Sequence, residues 1–238
     1  VLKHFKIKSK RLPNLKPWYK TRNVVLKSKN EVIISVIGKY VDLKDAYKSI
    51  DEALVHGGIA NNTKVKLNKI DSEKLNVLQI KKKLFNSDGI LIPGGFGKRG
   101  TEGKIEAIKF SRINKIPFFG ICFGMQLSLI EFARNVLKIK NAGSSEINKK
   151  CTPIIGLLEE WYKDGILKKG NLNKLGGTMR LGKYECNLLE NSLIKKIYKT
   201  NKIFERHRHR YEVNVNYKEK FESKGLIFSG MSINNKLP

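Results

Sequence analysis

The chain has 238 residues, with 48 Lys or Arg against 21 Asp or Glu, and a formal net charge of +27 at pH 7. That length suits one sizeable α/β domain and is short for two. The apolar share of 40% is ordinary, no apolar run approaches the roughly 20 residues of a membrane span, and Val1–Arg11 lacks the apolar core of a signal peptide.

The three cysteines (Cys122, Cys151, Cys186) lie far apart with no C-x-x-C pair, which argues against a disulfide framework or a zinc site. The expectation is a soluble, cytoplasmic protein without a bound metal. A basic balance this large raises nucleic-acid binding as a function. Specific binders cluster their charge among base-stacking aromatics, whereas lysines here recur in nearly every block and the densest runs (Lys81–Lys83, Arg206–Arg210) are short. The charge therefore reads as diffuse surface charge, with no specific nucleic-acid partner.

In chain order, Val1–Asn30 is polar and basic, holds Pro13 and Pro17 around Trp18, and reads as a linker or arm. Glu31–Gly38 (E-V-I-I-S-V-I-G) is rich in β-branched residues and predicts a buried strand. Asp45–Ile59 has apolar residues at helical spacing up to Gly57-Gly58. Thr63–Ile70 alternates apolar with lysine, as a strand nearer the sheet edge does. Leu75–Phe85 predicts a helix, Gly89–Ile92 a strand, Glu102–Ile113 a helix and Ile116–Ile121 a strand. This alternation implies an α/β fold with an open, mostly parallel sheet and helices on both faces. The next helix turns Leu129, Ile130, Ala133, Val136 and Leu137 inward, with Glu131 and Arg134 outward. Asn141–Thr152 is a polar loop holding Glu146, Thr178–Leu189 predicts strand or hairpin, Ser192–Lys199 a short helix, and Phe221–Gly230 a turn and strand.

The chemistry concentrates where strand passes into helix, at G-I-C-F-G (Gly120–Gly124). The serine version, G-x-S-x-G, is a nucleophile elbow, in which a sharp turn thrusts the nucleophile out of the sheet. A helix N-terminus behind Cys122 favours the thiolate, the attacking form. The loop P-G-G-F-G (Pro93–Gly97) ends the preceding strand and should lie beside the cysteine, at the edge where parallel sheets bind ligands. The N–H of Phe123 and one from Gly95 would then receive the oxyanion of an attacked carbonyl. The plainer alternative for Cys122 is a small residue packed under a helix.

A cysteine nucleophile needs a base, usually histidine. The four histidines are His4 in the basic arm, His56 at a helix end, and His207 and His209 between arginines, which suits anion or main-chain contacts better than base chemistry. The residues alone thus show a nucleophile without a convincing partner.

Beyond these local readings, P-G-G-F-G-K-R-G-T-E-G-K, G-I-C-F-G-M-Q and E-F-A-R-N-V closely resemble the glutamine amidotransferase domain of the CTP synthase family. G-K-Y-V-D-L-K-D-A-Y-K-S-I-D-E-A-L (Gly38–Leu54), G-G-T-M-R-L-G (Gly176–Gly182) and E-R-H-R-H-R-Y-E-V (Glu205–Val213) match the same family, and the last two separate it from other class I amidotransferases.

The resemblance implies that Cys122 attacks the side-chain amide of L-glutamine, releasing ammonia and leaving a glutamyl thioester. It implies that Gly95, Phe123, Gly124, Met125 and Gln126 bind glutamine and form the oxyanion hole. Glu146 and Arg210 would hold the amino-acid end of the substrate, and Phe96, Arg99, Gly100 and Glu102 would respond to GTP as an allosteric activator. It further implies that residues 31–238 are the amidotransferase domain, incomplete at its C-terminus. Residues 1–30 would be the tail of a synthetase domain and a linker, with Val1–Phe5 the end of a helix. No cofactor is implied for this chain; ATP, UTP and Mg2+ would belong to the synthetase domain, and a homotetramer to the whole enzyme. The family's base and its carboxylate lie in a His-Pro-Glu segment that is absent here, so poor glutamine hydrolysis by this chain is the expectation. The alternative is an inactive module of the same fold that docks on a separate synthetase.

Overall fold

A computed structural model describes residues 2–8, 13–43, 45–157, 160–163, 166–169, 179–233 and 237–238. Gly176, Gly177 and Thr178 of the G-G-T-M-R-L-G motif lie outside the described residues.

Four parallel strands form the central sheet in the order β2-β1-β3-β4: β1 (Glu31–Gly38), β2 (Lys64–Asp71), β3 (Gly89–Ile92) and β4 (Phe118–Gly120). The β-branched run of β1 takes an interior place, where Val36 and Ile37 lose all contact with solvent. Alternating β2 takes the edge, as its lysines require. The intervening helices are α2 (Lys48–Ala60), α3 (Val77–Leu84) and α4 (Thr101–Ile113), so each parallel step is bridged by a helix. Helix α2 runs through Gly57-Gly58 to Ala60 rather than stopping there. Gly58 is buried so closely on the chain entering β2 that a Cβ would sit 2.6 Å from the Thr63 carbonyl oxygen.

After β4 comes α5 (Phe123–Asn135), which buries Phe123, Leu127, Leu129, Ile130 and Ala133 in the main core beside Ile92 and Ile105. Full burial of a side chain of this size stabilises by about 1.5–3 kcal/mol. The expectation that Glu131 points outward is wrong. Glu131 is 1% exposed and takes a fork of hydrogen bonds from Arg112 of α4, Nε to Oε2 at 2.9 Å and Nη2 to Oε1 at 2.7 Å. A paired carboxylate can sit where a lone one could not, and such pairing between helices is invisible to a hydropathy pattern.

Beyond α5, β5 (Ala142–Ser144), β6 (Thr152–Leu157) and, further on, β11 (Tyr211–Val213) make a second sheet in the order β11-β6-β5. Strands β7 (Glu160–Lys163) and β8 (Ile166–Lys169) pair antiparallel. A third sheet, antiparallel, has the order β10-β9-β12, from β9 (Arg180–Leu188), β10 (Lys202–His209) and β12 (Gly230–Ser232). Short helices α6 (Leu193–Tyr198) and α7 (Lys218–Glu222) connect these strands; Phe221, expected in a turn, is a fully buried residue of α7.

The N-terminal arm also departs from the sequence reading. Residues Lys16–Lys27 form a helix, α1, opened by Pro17 in its first turn, where a missing N–H costs nothing. It buries no residue and leaves Trp18 70% exposed. Leu2–Lys6 runs through turns.

Candidate active site

Cys122 sits between β4 and α5 with φ +54° and ψ −108°, a left-handed backbone that a β-carbon disfavours. The flanking glycines make this geometry possible. A Cβ on Gly120 would lie 2.6 Å from the backbone of Gly124 and Met125, and one on Gly124 would lie 2.1 Å from the Ile92 carbonyl oxygen. The helix is thus pressed onto the end of the sheet and cysteine is pushed out above it. Phe123 opens α5, so its N–H has no carbonyl partner one turn back within the helix. The elbow is further tied by Ile121 N–H to the Ile92 oxygen and Gly124 N–H to the Ile121 oxygen, each at 2.9 Å.

The glycine-rich loop lies where the strand order predicts. A Cβ on Gly94 would touch Cβ of Cys122 at 3.5 Å. Gly95 and Phe96 line a cleft of about 100 Å3 together with Cys122, Phe123, Gln126, Glu146, Met179, Arg208, His209, Arg210 and Tyr211. A larger hollow of about 570 Å3 lies along α1 among lysines and asparagines and is lined by neither Cys122 nor a histidine, so the smaller cleft is the candidate site.

Of the residues implicated from sequence, Cys122, Gly95, Phe123, Gln126, Glu146 and Arg210 converge on this cleft. Gly124 is buried beneath it as the close-packing residue, and Met125 packs against the core. Gln126 is consumed structurally, its Nε2 donating to the Tyr211 oxygen at 2.8 Å and tying α5 to β11. Arg210 follows β10 immediately, and its Nε is buried with no partner among the described residues.

The four residues linked with GTP do not form one cluster on the cleft. Only Phe96 lines it. Arg99 pairs with Glu73 at 2.6 Å and covers the Tyr40 ring, Glu102 pairs with Arg134 at 3.2 Å, and Gly100 supplies the left-handed turn before α4 at φ +69°.

The sequence reading set His209 aside for anion or main-chain contacts, and the fold brings it to the cleft. His209 lines the cleft together with Cys122, and its Nδ1 lies 2.9 Å from Glu212 Oε1. Arg180 Nη1 reaches the same oxygen at 3.2 Å, with both Arg180 and Glu212 only 3% exposed. A His and a Glu therefore stand in line behind the sulfur, although no His-Pro-Glu sequence exists in the chain. The signal that could have found them is the strand period. In β10 exposure alternates residue by residue, placing Arg206 and Arg208 outward and His207 and His209 inward.

Electrostatics follows from this packing. Burial alone would lower the pKa of His209, but hydrogen bonds to Cys122 and Glu212 outweigh it and push it up to about 10. His209 is thus an imidazolium at neutral pH, the natural counter-ion of a thiolate. Glu212 is held below its ordinary value, because His209 and Arg180 overcome the opposing effect of burial. His207 moves the other way, to about 4, through burial and then the neighbouring Arg180 charge. His207, His209 and Glu212 also bring their ligand atoms within 4.8 Å of one another, but the Arg180 cation on Glu212 and the engaged His209 ring make this a poor metal seat. One more buried cation stands near: Lys104 of α4, whose pKa is lowered to about 8 by burial and by Lys39.

A model of the family Glutamine amidotransferase class-I matches residues 42–237. The chain is 65% identical over 238 residues to a CTP synthase of Pelagibacter ubique, covering all of this chain and 44% of that protein. It is 49% identical over 239 aligned residues to a CTP synthase of Paramagnetospirillum magneticum, again 44% of its length. The chain thus spans less than half the length of these curated relatives. Among solved structures, the glutaminase domain of a Trypanosoma brucei CTPS with bound acivicin superposes with a TM-score of 0.74 at 38% identity, over 84% of this chain and 75% of that one.

Proposed function

Since the chain belongs to the class I glutamine amidotransferases, we propose that its cleft takes L-glutamine and that Cys122 attacks the side-chain amide carbon. The observation that carries this reading is the meeting of Cys122 and His209 on one cleft, the cysteine on a strained elbow and the histidine ring held at 2.9 Å by Glu212. The thiolate adds to the carbonyl, and the oxyanion is received by N–H groups of Phe123 and Gly95. Collapse breaks the C–N bond, His209 gives its proton to the leaving nitrogen, and a glutamyl thioester remains with ammonia. Water then attacks the thioester, its proton passing to His209, and glutamate leaves. Glu146 and Arg210, on the cleft with opposite charges, would grip the substrate ammonium and carboxylate.

A general base works best when its pKa lies near the operating pH. The value of about 10 belongs to the resting pair; formation of the thioester removes the Cys122 charge that helps to hold the His209 proton and brings His209 back towards the range of a base. In the longer proteins of this family the ammonia would feed an ATP- and Mg2+-dependent amination of UTP to CTP on a synthetase domain. Such a CTP synthase would be a cytoplasmic homotetramer, with GTP acting through the Phe96–Glu102 segment. The three free thiols fit a reducing compartment.

The test mixes the chain with L-glutamine and follows ammonia on the millisecond-to-minute scale. A burst approaching one ammonia per chain, followed by slow release and absent in Cys122→Ala, is expected. A lack of any Cys122-dependent ammonia, together with no glutamine protection of Cys122 against a glutamine chloroketone, would refute the reading.

A further inference from the structure

Lys104 is among the largest fully buried side chains of the protein, at 1% exposure, although lysine is almost never buried unless paired. Among the described residues no carboxylate pairs with it and no hydrogen-bond acceptor meets its amine. Its Nζ stands close to both the glycine-rich loop and the first residue of α5. A Cβ on Gly95 would be 3.7 Å from that nitrogen, and the nitrogen stands 5.6 Å from the centre of the Phe123 ring. Gly95 and Phe123 are the residues whose N–H groups face the oxyanion in the reading above. A second cation reinforces the first: Lys39, at the end of β1, donates its Nζ to the Phe96 oxygen at 2.5 Å, holding the glycine loop over Lys104.

We propose that Lys104 is a positioning residue for the chemistry at Cys122, its buried ammonium backing the glycine loop and supplying a fixed positive field at the sulfur and the oxyanion. An unpaired buried cation is costly to the resting fold. That cost is relieved only when negative charge arrives nearby, as it does in the thiolate and, more so, in the tetrahedral intermediate. A group that is better satisfied in the transition state than in the ground state accelerates the step. Low local polarity lets such a charge act over several ångströms with little screening. The Phe123 ring, whose face accepts a cation, offers the ammonium partial compensation while the site is empty.

The part concerning the oxyanion rests on the glutamine reading; the part concerning the thiolate does not. The experiment therefore uses two electrophiles, iodoacetamide and a glutamine chloroketone, on the wild-type chain, Lys104→Met and Lys104→Arg. The rate at Cys122 is read by peptide mapping, so that Cys151 and Cys186 do not confuse it. Lys104→Met is expected to melt no lower than wild type, since a long apolar side chain fills the same slot without charge. Its Cys122 should react about 10-fold or more slowly with both reagents, and Lys104→Arg should recover most of that loss. Unchanged rates in Lys104→Met would overturn the proposal, and so would a large fall in its melting temperature, which would make the residue a structural one. If wild type ignores the chloroketone while iodoacetamide still slows in Lys104→Met, the glutamine reading fails and the role of Lys104 at the sulfur stands.

Discussion

The ring of His209 is fixed by Glu212: Nδ1 lies 2.9 Å from Oε1, which leaves the opposite edge of the imidazole for Cys122. That orientation turns a histidine flanked by arginines into the counter-ion of a cysteine.

Glu212→Gln should therefore act on reactivity and stability at once. Without the carboxylate the His209 proton is held less tightly and its ring loses the contact that orients it beside Cys122. Alkylation of Cys122 by iodoacetamide should slow several-fold. Arg180 would also be left buried without its partner, a loss of about 3–5 kcal/mol for breaking such a pair, read from urea midpoints.

The two histidines of β10 give opposite pH signatures. His209 is raised from 6.5 to about 10, so its contribution is fully present below pH 6.5 and is lost as pH climbs through about 10. His207 is lowered to about 4, so the unfolded chain binds its proton first and stability falls as pH drops from 6.5 towards 4. Depressed Glu212 adds to the acid limb, where its stabilisation is lost as it protonates. Denaturation midpoints should rise from pH 4 to about 6.5 and fall from there to about 8, above which Lys104, lowered to about 8, offsets the continuing loss at His209; His207→Gln should flatten the acid side while leaving the alkaline side in place. An alkaline limb unchanged by His209→Gln would count against the assignment.

Gly124→Ala should disturb the elbow more than its size suggests. The new methyl would meet the Ile92 carbonyl oxygen at 2.1 Å, and backbone cannot move aside as a flexible side chain can. Overpacking of this kind costs about 1–3 kcal/mol, and helix α5 must lift from the sheet to relieve it. Thermal melting should shift down by several degrees, and Cys122 should lose its selective reactivity over Cys151 and Cys186.

Arg210→Ala separates binding from reactivity. If the guanidinium holds the substrate carboxylate, losing a charge-assisted bond of about 1.5–3 kcal/mol weakens saturation by a glutamine chloroketone roughly 10- to 100-fold. Iodoacetamide, which has no carboxylate to hold, should label Cys122 within about threefold of the wild-type rate. Equal loss with both reagents would assign Arg210 to the upkeep of the sulfur instead.

Local signals were the legible ones. The β-branched run of β1, the glycines around Cys122 and the strand–helix alternation each report a short-range preference, and they locate the sheet edge that holds the cleft. What escaped depends on pairing across distance. Glu131 reads as solvent-facing until Arg112 is brought to it from another helix, and His209 reads as suited to anion or main-chain contacts until β10 turns its histidine face to the cleft. The helix in the N-terminal arm escaped for a different reason: it is polar on average and its Trp18, Val25 and Leu26 stay exposed, so no burial accompanies it.

The left-handed backbone at Cys122 has a further consequence. A non-glycine residue held in such a region stores about 1–3 kcal/mol, and only the close seating of Gly120 and Gly124 keeps it there. Before α5 docks, residue 122 can relax to an ordinary extended or helical backbone, far from His209 and Lys104, and is chemically an unremarkable thiol. The sulfur becomes a nucleophile as a late product of assembly. Its alkylation rate in a refolding chain is thus a clock, recording when sheet and helix finally close.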